Sequence, residues 1–382
     1  MQASTIGTPT AGHCGTIFVA IELSQKTWLV TLHSPDRERM SRHKLDGGDH
    51  AELLALIERI RARVAEKLGS VPRVVSCYEA GYDGFWLHRL LEAARITNFV
   101  FDAASIAVEQ RARRAKTDRI DGELLLRTLM AHLRGEPRVV RIVRVPSVEA
   151  EDARRASRER DRLVKEQTAH TNRIKGLLRL LGMAVGNPRR RDWLAWLERQ
   201  RDWQGQPPPP HLLAEAKREH ARLILVRDQL MALEEAQAAQ TLPVPAPVAE
   251  RRDLLLRLKA LGPAFTATLV SELFYKDFRN RREVASYCGL TPSPWKSGGI
   301  DREQGISKAG NRRARHKAIE LAWLWLRHQR DSALSRWFRA RTANAGKRAK
   351  RIAIVALARK LIVALWRYLS SGLIPEQATM KA

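Results

Sequence analysis

The sequence predicts an α/β domain at the N-terminus, then long helices, then a mainly helical C-terminal domain. Three observations carry this. Runs of β-rich residues alternate with helical spacing as far as Phe101, long helical spacing takes over beyond Pro146, and two proline-rich breaks divide the remainder. The expected divisions are 1–145, 146–250 and 251–382, each near the ~100–200 residues usual for a domain.

Thr16 to Leu23 (TIFVAIEL) and Thr27 to His33 (TWLVTLH) read as strands, and Arg39 to Leu45 as a weaker third, so the chain opens as a meander. Ala51 to Val64 carries Leu53, Leu54, Ile57, Ile60 and Val64 at helical spacing. Arg73 to Tyr78 returns to β, Gly84 to Arg95 is helical, and Thr97 to Phe101 is a fifth strand. Strands that alternate with helices after a meander predict a mixed sheet covered by helices on its faces, a nuclease-like pattern that many other folds share.

Further on, Leu163, Ile174, Leu177 and Leu181 fall on a three-four spacing, with Gln167 and His170 in the gaps. That pattern predicts a helical hairpin, a coiled-coil arm. Its connector, Asn187 to Pro210, holds Trp193, Trp196 and Trp203 and ends in four prolines, and the return helix runs from about Leu212 to Leu233. Leu242 to Val248 is the second break. Leu256 to Leu273 (LRLKALGPAFTATLVSEL) reads as a helix, a tight Gly-Pro turn and a second helix, similar to a helix-hairpin-helix, whose turn amides can hold a phosphate.

The 382 residues carry 68 Lys and Arg against 41 Asp and Glu, a formal charge of +27. Such an excess suits nucleic acid or an anionic membrane surface. The most apolar stretch, Ile352 to Leu369, is interrupted by Arg359, Lys360 and Arg367, whereas a spanning helix needs ~20 predominantly apolar residues. It reads as a buried amphipathic helix, which leaves nucleic acid as the partner and no membrane. Met1 to Gly15 has neither a basic start nor an apolar core, so a cytoplasmic location is expected. Cys14, Cys77 and Cys288 are odd in number and scattered, which argues against a disulfide framework or a zinc knuckle.

Four carboxylates stand out. Glu22 closes the first strand and Glu79 follows the fourth, the ends where open α/β sheets tend to place catalytic groups. Asp118 and Asp121, three apart in KTDRIDGELLL, share one face of a helix entering the same edge. Phosphoryl transfer with Mg²⁺ needs such hard oxygen donors, because two metals ~3.5–4 Å apart can activate the attacking oxygen and stabilise the leaving one. Arg111, Arg113, Arg114, Lys116 and Arg119 beside them would attract a DNA backbone. A single Asp or Glu at a strand end is more often a cap, so the weight rests on the fourfold arrangement.

Downstream, SYCGLTPSPWKSGGIDREQGISKAGNRRAR reads as a glycine-rich loop running into a basic helix, a form that lets a hydroxyl approach a phosphate. Ser297, Ser293 and Ser307 are the candidate nucleophiles, and each would need a base or a metal to be activated. Lys308, Arg312, Arg313 and Arg315 are candidate phosphate contacts, as are the wider runs Arg312 to Lys317 and Arg336 to Arg351, although a charge run is usually a solvated face.

With these elements in view the sequence resembles the IS-one-ten family of insertion-sequence transposases over nearly its whole length. The carriers are AIELSQ around Glu22, CYEAG around Glu79, AKTDRIDGELL around Asp118 and Asp121, and GLTP, SGG and GISKAGN around Ser297. The resemblance implies a RuvC/RNase H-like four-acid (DEDD) domain and a C-terminal domain whose serine is Ser297. It assigns Glu22, Glu79, Asp118 and Asp121 to Mg²⁺ or Mn²⁺. Glu22 stands where the family usually has Asp, and its extra methylene moves the carboxylate by more than a bond length. The resemblance further implies donor and target DNA, a guide-like bridge RNA, a homo-oligomer (dimer or tetramer), a serine–DNA covalent intermediate, and a composite site shared between subunits. Two rivals stand beside it: a junction resolvase or nuclease using the same acids with water, and a non-catalytic nucleic-acid-binding derivative.

Overall fold

The computed structural model describes residues 15–81, 84–106, 118–137, 139–190, 192–239, 246–297 and 300–381, and at 104, 118–120, 295–297 and 300–303 it describes the backbone alone. The chain falls into two compact units, Met1–Val145 and Pro146–Ala382.

In the first unit β1 (Thr16–Glu22), β2 (Thr27–His33) and β3 (Ser41–Asp46) form the meander, followed by α1 (His50–Leu68), β4 (Arg73–Glu79), α2 (Trp86–Ala93), β5 (Thr97–Phe101) and α3 (Asp118–Leu133). The five strands make one mixed sheet in the order β3-β2-β1-β4-β5. The pairs β1/β2 and β2/β3 are antiparallel, and β4 and β5 continue parallel to β1. Each strand spends alternate residues on opposite faces. Ile17, Val19 and Ile21 pack with Trp28, Val30, α1 and α2, whereas Phe18 and Ala20 pack with Val75, Cys77, Phe101 and α3.

Helix α1 starts where the Asp49 side chain accepts from the Glu52 amide at 3.0 Å, and it stops at Gly69, left-handed at φ 68°. It runs a turn beyond the apolar spacing because residues 66–68 are exposed and add nothing to the buried stripe.

The second unit holds α4 (Val148–Arg179), α5 (Trp193–Glu198), α6 (Pro210–Ala238), α7 (Ala246–Leu256), α8 (Pro263–Glu272), α9 (Arg281–Tyr287), β6 (Pro292–Ser297), β7 (Ile300–Ile306), α10 (Arg312–His328), α11 (Ala333–Thr342) and α12 (Lys347–Ser371). Helices α4 and α6 run antiparallel: Leu163 packs with Val226 and Leu230 at one end, and Ile174 and Leu178 with Ala216 and Leu223 at the other. Trp193 and Leu197 of α5 complete the second cluster. The largest core lies around α10 and α12, where Leu321, Trp325, Leu357, Leu361 and Leu365 are fully buried. Among the described residues no helix is long and apolar enough to cross a membrane.

Two local expectations are corrected. The first helix of the 256–273 segment lies upstream, ending at Leu256, and residues 257–262 are a turn. That turn is held by the C-terminal tail: Lys259 donates its amide to the Thr379 carbonyl at 3.1 Å and Lys381 donates to Arg257 at 2.7 Å. The amides of Leu258 and Leu261 are also spent internally. The glycine-rich segment is not an open loop either, because its two arms pair as the antiparallel hairpin β6/β7.

Candidate functional site

The sheet edge assembles from strand register. Ile21 pairs with Tyr78 across the parallel β1/β4 ladder, so the next residues, Glu22 and Glu79, close adjacent strands. Alternation puts Glu22 on the face of Phe18 and Ala20, and Glu79 on the face of Val75 and Cys77. Both therefore belong to the face that α3 covers.

Helix α3 crosses that face obliquely. Its Gly122 lies against β2, where a Cβ would fall 2.5 Å from Thr31 Oγ1 and 3.8 Å from Leu29 Cδ2, and Leu29 is the register partner of Glu22. Its Leu125 carbonyl accepts from the Cys77 thiol on β4 at 3.7 Å, and His132 meets Phe99 of β5 with ring centroids 5.2 Å apart. An ion pair between Arg42 of β3 and Glu123 fixes the start of the helix laterally. The buried stripe Leu125, Leu126 and Leu129, extended back by one turn, reaches Gly122 and Asp121, and by a second turn Asp118. Asp121 is thus carried to the Glu22 side of the edge, on the same face, while Asp118 is described by its backbone only. The Cys77 thiol registers the charge there: burial pushes its pKa well up, and the Glu79 carboxylate adds to it.

The structure brings Glu22 and Glu79 to neighbouring strand ends and Asp121 to the turn above β2. Among the described residues, no three His, Cys, Asp or Glu are gathered closely enough to hold an ion. The residue chemistry still suits a hard divalent cation, since Glu22, Glu79 and Asp121 all offer carboxylate oxygens. Arg111, Arg113, Arg114 and Lys116 lie outside the described residues, as does the Arg119 side chain.

In the second unit Ser297 pairs with Ile300 at the tip of the β6/β7 hairpin, its backbone alone being described. The other two serines sit lower: Ser293 is within β6, and Ser307, at the base, accepts from the Thr291 hydroxyl at 3.3 Å and donates its amide to the Thr291 carbonyl at 2.8 Å. The base is an interlock of two distant segments. Gly289, at φ 62°, lies so close to Ala309 that a Cβ would be 2.0 Å from its carbonyl oxygen, and at Gly310 a Cβ would be 2.3 Å from the Tyr287 oxygen. The amides of Lys308 and Asn311 donate to the carbonyls of Gly289 and Tyr287 at 3.1 and 2.7 Å. The motif glycines are therefore steric requirements of the fold beneath Ser297.

One group escaped the sequence reading. Glu272, only 1% exposed, receives Arg158 Nε at 2.7 Å and Asn311 Nδ2 at 3.0 Å, with Arg313 Nε at 3.3 Å. Burial acts to raise its pKa, but the hydrogen bonds from Arg158 and Asn311 outweigh it and hold the carboxyl below its ordinary value. A lone carboxylate in the apolar run TATLVSELF was the available signal, because a buried charge demands partners.

The same network engages two of the expected phosphate contacts. Arg313 is committed to Asp161 at 2.6 Å as well as to Glu272, and Arg315 donates to the Cys288 carbonyl at 3.0 Å. Both guanidiniums brace the unit, whereas Lys308 and Arg312 stay exposed.

Residues 252–336 match the family described as "Transposase IS116/IS110/IS902 family", and residues 19–183 match the DEDD domain of IS110 transposases, described as "Transposase". The chain is similar to "Putative transposase y4rJ" of Sinorhizobium fredii, 47% identical over 96% of this chain and 95% of that one. It is also similar to "Probable family 20 transposase" of Pseudomonas aeruginosa, 28% identical over 86% of this chain and 93% of the relative. A third relative, "Transposase for insertion sequence element IS1111A" of Coxiella burnetii, is 28% identical over 60% of this chain and 62% of its own length. A mixed sheet with carboxylates at its edge, joined to a basic helical unit, is here the body of a transposase, an enzyme that recombines DNA. The chain belongs to the IS110 family of insertion-sequence transposases. Its DEDD domain suggests a divalent metal.

Proposed function

We propose that this transposase cuts and rejoins DNA in the cytoplasm through a covalent bond to Ser297, assisted by an acidic site of Glu22, Glu79, Asp118 and Asp121. The observation that carries the acidic half is the shared face: Glu22 and Glu79 end adjacent strands under α3, and Gly122 holds the acid-bearing turn against Leu29, the partner of Glu22. Mg²⁺ or Mn²⁺ held by these carboxylates would neutralise charge at the scissile phosphate. The serine half rests on position, since Ser297 stands at the tip of a hairpin whose base is locked by Gly289 and Gly310. In the cleavage step the Ser297 oxygen bonds to phosphorus, the bond to one deoxyribose oxygen breaks, and the serine proton is lost as that oxygen gains one. Rejoining is the reverse with a different strand.

In this reading the chain has three parts: a RuvC-like sheet domain (1–145), a coiled-coil arm built on α4 and α6 (146–250), and a serine domain with a helix-hairpin-helix-like α7/α8 segment (251–382). A bridge RNA pairs with donor and target DNA, and a homo-oligomer joins the acidic domain of one subunit to the serine domain of another. Discrete RNA recovered with the purified protein supports the guide, and random fragments count against it.

The test is trapping. Ser297→Ala should abolish protein–DNA adducts on denaturing gels, and Asp121→Asn should abolish strand cleavage. A Ser297→Ala protein that still recombines DNA would falsify the serine role, and hydrolysed ends without adduct would assign water as the nucleophile. Glu22 favours the non-catalytic alternative to one degree: if only Glu22→Asp restores cleavage, the natural chain is a derivative that binds without cutting.

A further inference from the structure

A groove of about 1520 Å³ runs along α12 within the second unit, from the base of the β6/β7 hairpin at Pro292 and Ile306 to the C-terminal segment at Leu373 and Ile374. Nine Arg and Lys side chains line it against a single carboxylate, Glu376. Several cations elsewhere in the unit are held by acids. Arg158, Arg160, Arg173, Arg222, Arg251 and Arg313 are all paired with acids. Arg348, Arg351, Arg359, Lys360 and Arg367 of α12 have no carboxylate partner among the described residues, and neither do Arg281, Arg282 and Lys308 on the facing wall.

Between the charges the floor is aliphatic. Val355, Ala356, Val363 and Ala364 line it half-buried, while Ile352, Leu373 and Ile374 are 62%, 61% and 47% exposed. Unpaired cations beside uncovered apolar side chains mark a surface that a partner covers.

The arrangement decides which partner. Arg351, Arg359 and Arg367 recur along α12 at intervals of ~12 Å at 1.5 Å rise per residue, with aliphatic pairs between them. A docked amphipathic helix wants an unbroken apolar stripe flanked by charge, and here charge interrupts the stripe lengthwise. A duplex turns its base faces inward and offers an aliphatic floor little to cover. An unpaired strand carries a phosphate at each nucleotide with flat sugar and base surfaces between, and so matches an interleaved lining. The groove has no aromatic side chain and, apart from Gln304 and the charged groups, no polar side chain to read base edges. Its binding is then sequence-tolerant and dominated by phosphate contacts.

We infer that the α12 groove holds an unpaired, single-stranded stretch of nucleic acid and feeds it past the base of the serine hairpin. This deepens the transposase reading, on which it rests, by giving single strands a seat of their own in the second unit.

The experiment measures binding of a fluorescent oligothymidylate, and of a duplex of the same length, to the full chain as salt is raised. For R351Q/R359Q/R367Q the log–log salt slope for the single strand should fall by about 2, from ~0.7 per lost phosphate contact, with the duplex slope nearly unchanged. Val363→Asp, which puts a negative charge on the floor, should weaken single-strand binding at least ~10-fold by the same electrostatic logic. Equal losses on both nucleic acids would overturn the single-strand assignment, and no loss on either would overturn the groove. Capture of an acidic helical peptide that the triple variant loses, with single-strand binding intact, would give the groove to a protein instead. Asp121→Asn is the reference: it should keep the wild-type slope while losing cleavage, so a failed groove and a failed acidic site read out separately.

Discussion

Glu272 and the pair Glu22/Glu79 show two opposite ways of keeping a carboxylate. Glu272 is taken out of water and repaid with Arg158, Arg313 and Asn311. Glu22 and Glu79 close adjacent parallel strands at the end of the sheet. The first arrangement serves the fold. The second places two carboxylates at the end of a sheet, where open α/β sheets tend to put catalytic groups.

This contrast can be broken from either side. The largest effect is expected at Glu272: Glu272→Ala leaves Arg158, Arg313 and Asn311 without their shared acceptor and should destabilise the second unit by ~3 kcal/mol, read as a lowered urea midpoint. Gly289→Ala comes next, since a Cβ there meets the Ala309 carbonyl in a left-handed backbone, at a cost of ~2–3 kcal/mol. Smaller still is Gly122→Ala, ~1–3 kcal/mol of overpacking against Thr31. It should lower cleavage by more than its loss of stability accounts for, because it lifts the acid-bearing turn. The mildest effect is on pH. The Glu272 pKa is depressed in the folded state, so its contribution is complete above the ordinary value of 4.5 and fades as pH falls below it. Glu272→Gln should flatten that acid limb in a pH series of thermal midpoints, and a limb unchanged in the variant would remove Glu272 as its origin.

How far the sequence could be read follows the same divide. The sheet was legible almost to the residue because TIFVAIE, TWLVTLH and RVVSCYE are compact β-rich runs bounded by polar turns. The strand ends that carry Glu22 and Glu79 were legible for the same reason. The hairpin was missed because SPWKS and IDREQGI lack an apolar alternation, although two glycines between extended runs are a hairpin signal in themselves. Arg313 and Arg315 were grouped with Arg312 because a run of charge does not say which side chains turn inward. Their partners Asp161 and Cys288 are 152 and 27 residues away. The Glu272 network spans 114 residues to Arg158, a separation no local pattern encodes.

The bonds from α4 to Glu272 also bear on how the second unit comes apart. Arg158 and Asp161 tie the long helix α4 to α8 and α10, so peeling α4 away would take Arg158 from Glu272 and Asp161 from Arg313. Amides of α4 near Arg158 should therefore exchange with deuterium only when α10 also opens, as one foldon, while the α5 end of the hairpin frays on its own.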